Sequence, residues 1–191
     1  MAETASAMLA LGTTMPSFRL PDYDGEMHSS DDYAGTPVLV VFMCNHCPFV
    51  KHIADSLAER AREYRAKGVA VLGINANDTG SHPEDSPENM RRFAEERGLE
   101  FPYLFDESQE VAKAFGATCT PDIFLFDSDH KLVYRGQFDD SRPSRKEPVT
   151  GADLSDAVDR VVAGQPPREE QKPSIGCNIK WKPGNEPQTM R

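Results

Sequence analysis

The stretch VLVVFMCNHCPF, residues 38–49, constrains this chain more than any other. Val38 to Met43 are continuously apolar and rich in β-branched side chains, the pattern of a strand buried on both faces. Two cysteines follow with two residues between them, and a helical pattern begins at once. Val50, Ile53, Leu57, Ala61 and Tyr64 recur at three- and four-residue intervals, and Gly68 ends the run. A thiol pair between a buried strand and a helix start lies where unpaired backbone N–H groups and the helix dipole favour an anion. Cys44 is expected to feel that field, with a lowered pKa, and Cys47 to be partly shielded by the first turn and to reach back to form a disulfide. In exchange with another thiol or disulfide, Cys44 attacks and Cys47 resolves the mixed disulfide. His46, between them, is placed to stabilise the thiolate, and Pro48 suits the opening turn because its missing N–H has no partner there.

Two other readings of the pair stay open at this point. The cysteines fit a buried structural role, or half of a metal site with His46 or His52. A structural zinc site usually needs four close ligands, and no second CxxC is present, so no metal and no bound cofactor are expected.

The rest of the chain reads as alternating elements. Residues 69–74 form another buried strand, followed by a turn-rich loop from Asn75 to Asn89 that is longer than usual connections and carries a lid-like reading. Its charges, Asp78, Glu84, Asp85 and Glu88, read most simply as solvated. A helix is expected over 87–97, a short extended piece at "FPYLFD", a short helix over 107–115, strands at 122–127 and 131–136 joined as a hairpin by "DSDH", and a last amphipathic helix through Leu154, Ala157, Val158, Val161 and Val162. Upstream, Phe18 and Leu20 mark one short strand, and Asp24-Gly25 the tip of a turn. The order is β-α-β-α-β-β-α: an α/β fold with a central mixed sheet flanked by helices. Residues 1–164 are read as one domain with an N-terminal extension, and 165–191 as a Pro-rich tail. In that tail Ile175, Cys177, Ile179 and Trp181 alternate with period two, so it reads as a strap docked on the domain.

Charge narrows the partners. The formal net charge of -10 disfavours nucleic acid and anionic membrane surfaces, although the tail holds five Lys or Arg against three Glu and suits an acidic domain beneath it. The longest strongly apolar run, Val38 to Cys44, is far too short to span a bilayer. Residues 1–15 lack a basic stretch leading into an apolar core, and a cytoplasmic location is the expectation. Oligomeric state is not encoded in any motif.

"VVFMCNHCPFVKH", followed by a Thr-Pro before the hydrophobic strand of "CTPDIFLFD", resembles the thioredoxin superfamily, and most closely the bacterial thioredoxin-like branch related to alkyl hydroperoxide reductase and thiol-specific antioxidant proteins. The resemblance covers roughly residues 12–164, and the tail "SIGCNIKWKPGNEP" is similar to an ending found in that branch. It implies a thioredoxin-like fold with Cys44 as nucleophile, Cys47 as resolving thiol, a cis-proline at Pro121, and Thr120 supplying the backbone that pairs with a bound substrate. Phe49 and Pro48 fall at the edge of that groove. Met43 and Asn45-His46 stand where thioredoxins proper carry Trp and Gly-Pro. Val41 stands three residues before Cys44, where peroxiredoxins have Thr.

Cys119, two residues before Pro121, and Cys177, in the tail, form a second candidate pair, redox or structural. The resulting expectation is a thiol–disulfide oxidoreductase acting on a protein disulfide or dithiol, or on a small thiol. A peroxiredoxin-like peroxide reductase and a non-catalytic binding module are the alternatives.

Overall fold

The computed structural model describes residues 3–188. Its centre is a five-stranded sheet built from β4 (Val38–Phe42), β5 (Ala70–Asn75), β6 (Tyr103–Phe105), β8 (Asp122–Phe126) and β9 (Leu132–Arg135), in the order β6-β5-β4-β8-β9. β4, β5 and β6 run parallel, whereas β8 is antiparallel to both β4 and β9, so the sheet is mixed. Side chains along β4 alternate strictly between two cores. Leu39 and Val41 face one, and Val38, Val40 and Phe42 face the other. This is the period-two rule acting on a strand with no solvent face, which is why its sequence carries no polar alternation.

The first core is covered by α1 (Pro48–Ala66), α2 (Pro87–Arg97) and α4 (Ala152–Val162), through Val50, Ile53, Leu57, Phe93, Leu154 and Val158 among others. Full burial of a side chain such as Leu57 contributes about 1.5–3 kcal/mol. The second core is closed by α3 (Glu110–Phe115) and by both chain ends, which bring Met15, Phe18 and Leu20 from one side and Ile179 from the other. The fold is the thioredoxin-like α/β arrangement, with added strands before and after it.

Those added strands differ from the sequence expectation in instructive ways. The single short strand near Phe18 is one arm of a hairpin, β2 (Arg19–Pro21) with β3 (Met27–Ser29), turning at Asp24-Gly25. The helix expected from residue 107 starts at Glu110, because Gln109 adopts a positive φ of 67° and the preceding turn is not helical. The tail supplies β10 (Ile175–Asn178), held between β1 (Glu3–Ala5) and β7 (Cys119–Thr120), antiparallel to both. Neither flanking strand is legible in the sequence, since each is only two or three residues long. Tail cations meet acids of the domain: Lys172 Nζ lies 2.8 Å from Asp140 and Arg168 Nε 2.8 Å from Asp156. Such exposed pairs contribute little individually. Backbone contacts do more: Asp78 N–H donates to the Lys180 carbonyl, and Ile179 N–H to that of Thr118.

Gly176 is required where β10 meets β7. A Cβ there would overlap the Thr120 carbonyl, a rigid backbone group with no room to yield. Gly176→Ala is expected to lower stability by about 1–3 kcal/mol through overpacking. In the same variant Cys177 should alkylate faster as the strand lifts. An unchanged alkylation rate in thermal and chemical trapping assays would mean that β10 does not depend on this approach.

Candidate active site

α1 begins at Pro48, and the residue that caps it is Cys47. The expectation that the helix field acts first on Cys44 is corrected here, because Cys44 lies three residues further from the helix and outside its first turn. Opposite the two thiols is a single dipeptide, Thr120 and cis-Pro121. Cys44 Sγ lies 3.7 Å from Thr120 Oγ1, and Cys47 Sγ lies 3.3 Å from the Thr120 carbonyl oxygen. Cys47 Sγ also lies 2.9 Å from Cys177 Sγ. The middle thiol of a three-sulfur row is therefore Cys47.

Ionisation follows that geometry. The pKa of Cys47 is held well below that of an ordinary thiol chiefly by its hydrogen bond with Cys44 and further by those with Cys177 and the Val50 backbone N–H, which together outweigh burial. Cys44 is pushed up because its proton is held by Cys47, and further by burial and the nearby Asp85 carboxylate. Burial first, then its hydrogen bond with Cys47, raises Cys177. Cys44, Cys47 and Cys177 are 1%, 0% and 2% exposed, so the row is shut off from solvent. Two clefts among the described residues, about 310 and 450 Å³, have no cysteine in their walls.

The CNHC turn is pinned from below by Asp85, which is fully buried. Its carboxylate accepts from the backbone N–H of Asn45 at 2.8 Å and of His46 at 3.3 Å, from the His46 ring at 2.5 Å and from Asn77 Nδ2 at 2.9 Å. A carboxylate read from the sequence as a solvated charge is thus the anchor of the site. The only signal that marked it was the unusual length of its loop. Asn45 is fixed in turn by the Tyr103 hydroxyl, which donates to Asn45 Oδ1, and by its own donation to the Glu84 carbonyl. The His46 ring turns towards Asp85 and stacks on His82, with centroids 5.3 Å apart. Its hydrogen bond to Asp85 raises its pKa against the effect of burial, and the same bond with those from Asn77 and Asn45 holds Asp85 below the usual carboxylate range. Cys44, His46 and Asp85 place potential metal-ligand atoms within 4.8 Å of one another, but both Asp85 oxygens already have donors.

Pro48 stands at the first position of α1, and Phe49, half-buried, lines a narrow cleft with His52, Pro121, Ser174 and Ile175. Cys119 and Cys177 are not brought together. Cys177 pairs in register with Thr120, and Cys119 with Asn178, which sets the two thiols on opposite faces of the ladder. Cys119 faces Asp122, a buried carboxyl pushed up to about 7 by burial against its backbone hydrogen bonds. In the sequence Asp122 looks like no more than the start of a strand.

A strand–CxxC–helix unit facing a cis-proline on a mixed sheet defines a redox protein of the thioredoxin fold. The AhpC/TSA family model matches residues 11–135, and the chain belongs to that family, within the thioredoxin-like redoxin superfamily. A crystal structure of an uncharacterized conserved protein from Geobacillus kaustophilus is 51% identical, covers 96% of this chain and 98% of its own, and superposes with a TM-score of 0.94. Peroxiredoxin Bcp from Escherichia coli (strain K12) is 33% identical over 154 residues, 74% of this chain and 92% of its own length. Thiol-disulfide oxidoreductase ResA from Geobacillus thermodenitrificans (strain NG80-2) is 30% identical over 129 residues, 68% of this chain and 70% of its own. Family and relatives together support a general redox enzyme. Among the described residues no helix is long and apolar enough to cross a membrane.

The His46–Asp85 pair sets a pH dependence. Asp85, with a depressed folded pKa, stabilises the fold above about pH 4, and that contribution is lost as pH falls through the folded value. His46, with a raised folded pKa, contributes fully below about pH 6.5 and loses its share as pH rises through its folded value. Asp85→Asn should therefore destabilise most between about pH 4 and 6.5, by about 3–5 kcal/mol. A urea-denaturation difference that stays flat from pH 4 to 9 would show that the ion pair does not hold the turn.

Proposed function

We propose that this protein is a thiol–disulfide oxidoreductase in which Cys44 and Cys47 cycle between dithiol and disulfide. The observation that carries this reading is the placement of both sulfurs on the same dipeptide, Thr120–Pro121, with Cys47 capping α1. Cys47, in the thiolate form that its lowered pKa favours, takes the proton of Cys44 as the Cys44 sulfur attacks one sulfur of a substrate disulfide, and the other substrate sulfur leaves as a thiolate. Cys47 then gives up that proton to the leaving thiolate and attacks Cys44. The Cys44–Cys47 bond forms, the mixed disulfide breaks, and two electrons have passed to the substrate. His46 and Asp85 hold the turn rather than touch the sulfurs, so their role is positioning.

The Thr120 backbone, which pairs with bound substrate in the family this chain resembles, is here paired with β10. That favours low-molecular-weight disulfides or thiols over an extended polypeptide, which has to displace the tail to reach the same edge. A peroxide-reducing activity is the second reading, favoured by the likeness to peroxiredoxin Bcp and by the thiolate at Cys47. Against it, position three before Cys47 is Cys44 and position three before Cys44 is Val41, where peroxiredoxins place Thr.

Single-turnover reduction of oxidised glutathione by the fully reduced protein tests the proposal. Cys44→Ser and Cys47→Ser should each slow it by at least about 100-fold. Retention of full activity by both variants would put the chemistry outside this pair, no reduction by the wild type would leave a binding module, and consumption of hydrogen peroxide far faster than of the disulfide would move the reading to peroxide reduction.

A further inference from the structure

We infer that Cys177 is a third redox thiol, which takes over the bond to Cys47 after each turnover and returns Cys44 to its thiol form. The inference rests on the Cys44/Cys47 cycle proposed above and adds a step to it. Three independent features of the tail support it.

Distance is the first. Cys177 Sγ lies 2.9 Å from Cys47 Sγ, less than about 1 Å beyond a disulfide bond length of roughly 2.0 Å. The second is the way Cys177 is held. It belongs to the middle strand of a three-stranded ladder, paired with Thr120 on one side and Glu3 on the other. The tail is further fixed by Ser174, whose hydroxyl donates to the Pro121 carbonyl at 2.5 Å, by Ile179 N–H on Thr118, and by Lys180 N–H on Asn77. A thiol brought 130 positions along the chain to a buried sulfur, and held there by backbone bonds, does not reach it by chance flexibility. Orientation is the third feature. Sharing the Thr120 register directs the Cys177 side chain to the face of the ladder that carries Cys44 and Cys47, whereas Cys119, one position along, points away. β10 thus lies along the substrate-pairing edge with a cysteine where a partner's sulfur would come.

The step balances without any added oxidant. With Cys44 and Cys47 joined, the Cys177 sulfur attacks Cys47 Sγ. The Cys47–Cys177 bond forms, the Cys44–Cys47 bond breaks, and the proton of Cys177 ends on Cys44. Both sides carry one disulfide and one thiol. The oxidising equivalent now joins the tail covalently to the first turn of α1, and Cys44 is again a thiol.

Fully reduced protein treated with one equivalent of oxidised glutathione, acid-quenched, alkylated and mapped without reduction tests this. In the wild type, Cys44–Cys47 is expected first, followed by Cys47–Cys177 as Cys44 regains its capacity to be alkylated. Cys44→Ser, incubated long enough to offset its slower reaction with the disulfide, should form Cys47–Cys177 alone, and Cys177→Ser should keep Cys44 protected throughout. If the wild type accumulates only Cys44–Cys47, and Cys177 stays fully alkylatable in Cys44→Ser, the relay is overturned while the two-cysteine enzyme stands. If Cys44 and Cys47 fail to join even in Cys177→Ser, the underlying proposal fails, and the relay with it. The wild-type map requires no substitution, so a misfolded variant leaves the test intact.

Discussion

Thr120 is the point on which the site depends. Its hydroxyl meets Cys44, its carbonyl meets Cys47, and its backbone carries the ladder that delivers Cys177. Three segments far apart in the chain converge there: the CNHC turn, the cis-Pro121 loop and the tail. The turn is tied to α1 through its cap, the loop continues directly into β8 at the sheet centre, and β10 approaches so closely that only glycine fits at position 176. A buried row of sulfurs results, with Cys47 in the middle and the lowest pKa of the three.

The electrostatics explain why Cys47 rather than Cys44 has the lowered pKa. A helix N-terminus stabilises an anion only within its first turn. With Pro48 as the first helical residue, Cys47 lies inside that range and receives the Val50 N–H, while Cys44 looks across at the Asp85 carboxylate. Asp85 discourages charge on Cys44, yet it organises the turn on which Cys44 sits, by accepting the backbone N–H groups of Asn45 and His46. One carboxylate thus arranges the site and biases the proton distribution within it. His46 pairs with Asp85 through its ring and completes the carboxylate's set of partners.

Much of the fold was legible because its elements are strongly periodic. β4, α1, β5 and the β8–β9 hairpin follow from apolar runs and helical spacing, and CNHC followed by Thr-Pro places the thiols and the cis-proline. What was not legible depends on tertiary burial. Asp85 sits among Glu84, Glu88 and turn-formers, a composition typical of a solvated loop, and only the packing of that loop beneath the turn makes it an anchor. Asp122 reads as an ordinary strand boundary. The alternation through Ile175, Cys177 and Ile179 marked a covering strand, but its register against Thr120, which selects Cys47 over Cys119 as neighbour, is fixed by Gly176 and by pairings with strands too short to carry a pattern of their own.

The most direct test of the Cys44/Cys47 couple is an equilibrium redox titration in glutathione buffers of Cys177→Ser, in which the tail cannot take over the bond to Cys47, with differential alkylation of each cysteine read by peptide mass spectrometry. Cys44 should lose its thiol as part of a two-electron couple with Cys47, at a potential between about -270 and -120 mV, the range spanned by exchange enzymes of this fold. If Cys44 and Cys47 never join at any potential in the series, the pair does not carry the chemistry assigned to it.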